Sequence, residues 1–273
     1  MRLRLILSLV GLSGLLLLLL LTLPLFALLF RAFKPDNLGF LFQDSVLEAL
    51  KLSLMTTSIS VLIIVILGTP IAYVLARYQF WGSRWLDSLL DLPLVLPPVV
   101  AGLALLLVFG RKGFLGPVLQ ELGVSIAFST AAVILAQIFI ASPLYIRAMK
   151  AGFASIPRRL EQVSLTLGKG PLESFWRITL PLSLPHLIEG IVLAWARALG
   201  EFGATIIFAG SLAGRTRTMP LAIYGALEQD LDASLAIAAI LTISAFILLF
   251  FFRFALDFLS SPKPVKIDHY PKD

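Results

Sequence analysis

One apolar stretch carries two opposite charges four residues apart: Ala196-Arg197-Ala198-Leu199-Gly200-Glu201-Phe202-Gly203-Ala204-Thr205. Wound at about 100° per residue, Arg197, Glu201 and Thr205 share one helical stripe, with Ala196, Gly200, Gly203 and Ala204 on the adjacent one. Two readings of the charged stripe stand side by side. In the first, Arg197 and Glu201 form an i, i+4 pair that neutralises itself in a bundle, since an unpaired buried charge is too costly to leave. In the second, the stripe faces a passage in which Arg197 attracts an anion and Glu201 keeps it from binding too tightly. The small residues permit close helix approach under either reading.

Other chemistry is sparse. His186-Leu187-Ile188-Glu189 lacks the second histidine of the zinc-protease pattern His-Glu-x-x-His, and the other histidine of the chain is the remote His269. Without cysteines there are no disulfides, thiolate nucleophiles or thiolate metal sites. No nucleophile, base and orienting group stand together, so no catalytic or metal residue is assigned and the chain is not read as an enzyme. Gly168-Lys169-Gly170-Pro171 lacks the upstream glycine and the hydroxyl of a phosphate-binding Gly-x-x-x-x-Gly-Lys-Ser/Thr loop. No cofactor is expected in this chain, and ATP hydrolysis would require another.

The elements that must position these residues are membrane helices. The 273 residues are 59% hydrophobic and 14% charged, with a mean hydropathy of +0.96. Soluble domains carry about 25% charged residues, and a membrane span needs roughly 20 apolar ones. Leu5 to Phe30 is longer than a signal-peptide core and reads as a retained first span, with cleavage as the alternative. Five more are expected at Leu52–Ala76, Leu89–Phe109, Ala127–Ile146, His186–Phe208 and Ser234–Leu256, so this is an all-α protein of six transmembrane helices.

One side of that arrangement collects 14 basic residues: Arg2, Arg4, Arg77, Arg84, Arg147, Lys150, Arg158, Arg159, Lys169, Arg177, Arg253, Lys263, Lys266 and Lys272. The other collects 7: Arg31, Lys34, Lys51, Arg111, Lys112, Arg215 and Arg217. The excess places both termini in the cytoplasm. It also explains the net charge of +6 without nucleic acid. Gly68 and Pro70, Pro93, Pro97 and Pro98, and Pro143 are expected to interrupt the second, third and fourth spans, either as ordinary kinks or because the bundle must move.

A cytoplasmic loop of roughly forty residues follows the fourth span, against a usual length of about 4–6. Ser155 is a candidate N-cap and Pro157 suits a first helical turn, while Leu160, Val163 and Leu167 share one face. Gly168 supplies a stop. Pro171 starts a second short helix whose Leu172, Phe175 and Trp176 form an apolar patch ending at Ile178-Thr179-Leu180-Pro181. This helix pair either rests on lipid headgroups, with Arg158, Arg159 and Arg177 as phosphate anchors, or docks a soluble partner.

The segment Leu160-Glu161-Gln162-Val163-Ser164-Leu165-Thr166-Leu167-Gly168, with Ile178-Thr179-Leu180-Pro181 beyond it, resembles the loop signature of permease subunits of type I ATP-binding-cassette importers. In that family Glu-Ala-Ala is followed three residues later by Gly, then by nine residues and Ile-x-Leu-Pro. Gln162-Val163-Ser164 occupies the triplet position without matching it, and Glu161 sits one position early. The resemblance extends over residues 45–256. It implies a permease core there with a coupling loop at about 147–181, to which the span reading adds a first helix with an external segment at 1–44 and a cytoplasmic tail at 257–273. It further implies a homodimer in a prokaryotic cytoplasmic membrane, bound to two cytoplasmic ATPase subunits. The coupling residues would be Glu161, Gln162, Val163, Ser164, Gly168, Ile178, Leu180 and Pro181.

Leu199-Gly200-Glu201-Phe202-Gly203-Ala204 resembles the fifth-span motif of permeases for molybdate, tungstate and sulfate, which favours Arg197, Glu201, Phe202, Gly203 and Thr205 as pathway residues. Asp91 to Val100, Gly110-Arg111-Lys112-Gly113-Phe114 and Arg215-Thr216-Arg217-Thr218-Met219-Pro220 are most similar to molybdate permeases. An external molybdate-binding protein is the further partner this implies. Arg111, Lys112, Arg215 and Arg217 would either concentrate an anion or dock an acidic protein surface. A sulfate or tungstate permease is the near alternative. An autonomous secondary carrier using Glu189 and Glu201 leaves the long loop unexplained, and a non-transporting assembly protein needs neither the kinked third span nor the charged stripe.

Overall fold

The computed structural model describes residues 2–34, 37–41 and 43–260, so the tail with Lys263, Lys266, His269 and Lys272 lies outside the described residues. The described residues form helices joined by turns and irregular loops, without a strand. Its elements are α1 (Arg2–Ala32), α2 (Leu38–Leu41), α3 (Asp44–Arg77), α4 (Ser83–Val95), α5 (Pro98–Phe109), α6 (Gly116–Glu121) and α7 (Thr130–Ser155). Next come α8 (Arg158–Thr166), α9 (Pro171–Ser174), a π-helical turn (Phe175–Thr179) and α10 (Leu180–Leu182). The chain continues through α11 (Leu184–Leu199), α12 (Gly203–Phe208), α13 (Met219–Leu227) and α14 (Leu231–Ser260). Among the described residues, four helices are long and apolar enough to cross a membrane, and up to six spans result if two bent helix pairs each count as one.

Several boundaries depart from the sequence expectation. The second and fourth spans are not interrupted, because α3 runs through Gly68 and Pro70 and α7 through Pro143. Near Pro70, Thr69 Oγ1 donates to the Val65 carbonyl at 2.6 Å, and Tyr145 Oη lies 2.6 Å from Thr69 Oγ1. Gly68 serves packing, since a Cβ there would stand 3.0 Å from the Tyr145 ring. Helix α7 ends at Ser155, beyond the expected Ile146. The third span does break, at Leu96-Pro97: consecutive prolines bar helical backbone at the residue before each, and Pro97 takes φ −55°, ψ 134° ahead of Pro98 at the first position of α5.

The chain forms two compact units, each assembled from separate stretches of sequence. One comprises residues 1–60, 93–140 and 197–245. Its core joins Ala101 and Leu105 of α5, Ala132, Val133, Ala136 and Ile140 of α7, and Ala204, Phe208 and Ala209 around α12. A second cluster joins Val46 and Ala49 of α3 to Met219 and Ile237. The apolar stretch of α1 from Gly11 stays uncovered until Ala32, beside which Arg31 lies 3.6 Å from Asp232.

The other unit comprises residues 61–92, 141–196 and the described residues from 246 to 260. Tyr145, Met149 and Phe153 are buried along α7, and Phe153 meets Tyr73 and Phe175 in an aromatic cluster with ring centroids 5.1–6.0 Å apart. Helix α4 presents Asp87 and Asp91 to α7, where they accept from Lys150 and Arg147 at 2.6 Å.

Candidate functional sites: the broken fifth span and the loop after α7

In the first unit the charged stretch is not one helix. Helix α11 ends at Leu199, Gly200 to Phe202 leave the helical path, and α12 restarts at Gly203. The single stripe expected for Arg197, Glu201 and Thr205 is therefore absent, and the pair forms for a more local reason. Glu201 Oε2 accepts from Arg197 Nη1 at 2.8 Å, while Oε1 accepts the Ala204 backbone N–H at 2.8 Å. Phe202 stands at the N-cap position without a capping side chain, so the preceding carboxylate satisfies a donor that the restarted helix would otherwise leave bare. The Glu201 side chain is 1% exposed and Arg197 33%. Thr205 is also buried, with its hydroxyl lacking a partner.

The small residues do bring backbones together. A Cβ on Gly102 would stand 2.7 Å from the Ala204 carbonyl oxygen, and one on Gly203 2.6 Å from Pro98 Cβ, so α5 and α12 pack nearly backbone to backbone. The expected stripe is only partly used: Ala204 is buried, whereas Ala196 and Gly200 are exposed. Phe202 packs on Tyr224 with ring centroids 5.2 Å apart.

Sequence reading missed the residue that holds this break in place. Gln137 of α7, 1% exposed, donates to Thr57 Oγ1 and to the Ala198 carbonyl, each at 3.2 Å, and accepts from Ser60 Oγ at 2.9 Å. It ties α3 and α7 to the last turn of α11. The available signal was a hydroxyl stripe in α3, Ser53, Thr56, Thr57 and Ser60 at i, i+3, i+4 and i+7, all buried. Ser53 Oγ accepts the Met219 N–H at 2.7 Å, a second use of that stripe.

The loop after α7 belongs to the second unit. Ser155 does not cap α8: it ends α7, and its hydroxyl turns back to the Gly152 carbonyl at 2.8 Å. Pro157, at φ −59°, ψ 126°, precedes the helix instead. Gly168 ends α8 as expected, at φ +80°. Its N–H reaches the Leu165 carbonyl at 3.0 Å and the Lys169 N–H the Ser164 carbonyl at 3.2 Å, a Schellman closure that favours glycine at this position.

Helix α8 faces the opposite way from an ordinary amphipathic helix on a protein core. Leu160, Val163, Leu165 and Leu167 are exposed, Leu167 to 74%, while Ser164 is buried and Glu161 points inward. Glu161 Oε1 accepts from Arg77 Nη2 and from Thr179 Oγ1, both at 2.7 Å. Arg77 Nη1 continues to the Ile156 carbonyl at 3.0 Å, and Arg158 donates to the carbonyl of Arg77. Arg158 spends one guanidinium nitrogen on that carbonyl while the residue stays exposed, and Arg177, also exposed, pairs with Glu173 at 3.0 Å.

The expected patch of Leu172, Phe175 and Trp176 divides. Leu172 and Trp176 are exposed, whereas Phe175 joins the Tyr73 and Phe153 rings. The expected coupling residues divide too. Gln162, Val163, Gly168 and Pro181 are exposed, Ile178 and Leu180 are half-buried, and Glu161 and Ser164 face in. Arg77 and Thr179, which orient the loop, were not among them. His186, in the first turn of α11, packs against Gly152, where a Cβ would meet the His186 Cβ at 2.5 Å.

Residues 68–260 match the family described as "Binding-protein-dependent transport system inner membrane component". The chain is 46% identical over 222 residues to the molybdenum transport system permease protein ModB of Mycobacterium tuberculosis, covering 81% of this chain and 84% of that one. It is 38% identical over 226 residues to the sulfate transport system permease protein CysW of Synechococcus elongatus, covering 82% and 79%. The fold is similar to a chain in the crystal structure of a bacterial ABC transporter involved in the import of the acidic polysaccharide alginate, with a TM-score of 0.75, 17% identity, and coverage of 93% and 96%. A chain of this hydropathy, with these broken spans, that matches the family model from Gly68 to Ser260 belongs to the inner-membrane components of binding-protein-dependent transport systems.

Proposed function

We propose that this chain forms the transmembrane pathway of an ATP-driven molybdate importer. Two copies would pair, each offering the loop from Ile156 to Ser183 to one cytoplasmic ATP-binding-cassette subunit. An external molybdate-binding protein would deliver the dianion. Both termini would then lie in the cytoplasm, with residues 45–256 as the permease core.

The observation that carries the docking role is the orientation of α8. A helix that turns Leu160, Val163 and Leu167 outward while anchoring Glu161 and Ser164 inward presents an apolar surface on a rigid base. Such a surface is costly in water and is relieved by a partner groove. In the membrane, Arg197, Phe202 and Gly203 are the half-exposed members of the fifth-span motif and would border the passage, with Glu201 and Thr205 supporting the break from within.

Identity of 46% to a molybdenum permease against 38% to a sulfate permease supports molybdate. Molybdate, tungstate and sulfate share charge and shape, so selection would reside mainly in the binding protein. The test is uptake of labelled molybdate by proteoliposomes holding the permease, its ATPase and its binding protein. Competition by tungstate and little by sulfate is expected, and preferential sulfate uptake would overturn the assignment. The double variant Val163→Asp with Leu167→Asp should strip the ATPase from the purified permease.

A further inference from the structure

Building on the reading of this loop as the docking element, we propose that Arg77 is a positioning residue that transmits movement of α8 to the second span, with Glu161 as its inward partner. Arg77 is the last residue of α3, and its side chain is 5% exposed. One guanidinium nitrogen holds the Ile156 carbonyl, at the junction between α7 and α8, at 3.0 Å. Another holds Glu161 of α8 at 2.7 Å. The same Glu161 oxygen accepts from Thr179 in the π-helical turn, on the return limb of the loop.

Arg158 closes the arrangement from the other direction by donating to the backbone carbonyl of Arg77, which also satisfies an open acceptor at the end of α3. The end of α3, the end of α7, the start of α8 and the return limb are therefore fastened through one guanidinium and one carboxylate. Charge-assisted bonds at a largely buried site are short and directional, so displacement of α8 pulls on α3 instead of being absorbed by side-chain rotation. Lysine could not reproduce the arrangement, because one ammonium replaces a planar fork that reaches two acceptors. Glu161 is thereby committed to the interior of the loop. The contact with an ATPase falls to the exposed Gln162, Val163 and Leu167.

The test uses the full complex in proteoliposomes and reads three quantities: ATPase copurified per permease, thermal stability, and substrate transported per ATP hydrolysed. Arg77→Met and Glu161→Gln should keep the ATPase bound and lower transport per ATP about tenfold, within the usual range for coupling between two sites. Each also strands a partner, so the double variant Arg77→Met with Glu161→Gln carries the decision. It strands no charge and should regain parental stability while remaining about tenfold less coupled.

Restoration of parental transport per ATP in the double variant would reduce the pair to scaffolding and overturn the proposal. Loss of the ATPase in Glu161→Gln would overturn it as well, by placing Glu161 at the docking surface. If these variants do not fold, Thr179→Val removes one hydrogen bond with little change of shape. It should lower coupling about two- to threefold, in proportion to a single bond, and an unchanged ratio would refute the proposal. Failure of the docking reading itself would be seen separately, as retention of the ATPase by the Val163→Asp and Leu167→Asp variant.

Discussion

Replacing Arg197 by methionine removes the partner from a carboxylate that has almost no contact with solvent. Glu201 is 1% exposed, and without Arg197 its charge would keep only the Ala204 N–H at 2.8 Å. Breaking a buried pair from this side costs about 3–5 kcal/mol, because the remaining charge is neither hydrated nor paired. The reverse change, Glu201→Gln, is milder for two structural reasons. An amide oxygen still accepts the Ala204 N–H, and Arg197, one-third exposed, has access to water. The loss should be about 1.5–3 kcal/mol, that of a hydrogen bond to a charged group. The double variant Arg197→Met with Glu201→Gln leaves no stranded charge and should recover much of the loss, giving a coupling of about 2 kcal/mol or more. Reversible unfolding of the purified permease in mixed micelles, followed by circular dichroism, measures all three. Equal losses for the two single variants, or a double variant equal to their sum, would refute the argument.

Gly102→Ala should lower the unfolding free energy by about 1–3 kcal/mol, since the new Cβ meets backbone of Ala204 at 2.7 Å and α12 must shift; a thermal melt at parental temperature would contradict the close packing. Gly168→Val should cost about 1–3 kcal/mol in the loop through its φ of +80° and reduce transport per ATP, whereas Gly168→Asn, which tolerates that backbone, should be nearer to parental in the same proteoliposome assay. Single cysteines at the exposed Thr166 and Ala213 should react with an impermeant reagent from opposite sides of the membrane, and labelling from one side only would reject the topology. Ser174 is a poor probe site because it is buried.

Membrane class and most span positions were legible in the sequence because apolar length is a local property: a run such as Leu52–Ala76 must be helical to satisfy its backbone in lipid. The Leu96-Pro97 break and the stop at Gly168 were legible for the same kind of reason, since backbone restrictions act over one or two residues. Pro70 and Pro143 show where that logic ends, because a helix continues through proline when neighbouring packing holds it.

Periodicity predicted a stripe of Leu160, Val163 and Leu167, but a stripe has no direction until something occupies the other side. Arg77, 84 positions away from Glu161, does so and turns the apolar face outward. The Gln137 clasp likewise joins Thr57, Ser60 and Ala198 across 61–80 positions, and the gap between α11 and α12 is bridged by Glu201 only because α12 restarts beside it. Helix type follows from the residues along a segment. Partners for buried polar groups follow from which segments fold against one another, and that pairing exists only in the tertiary structure.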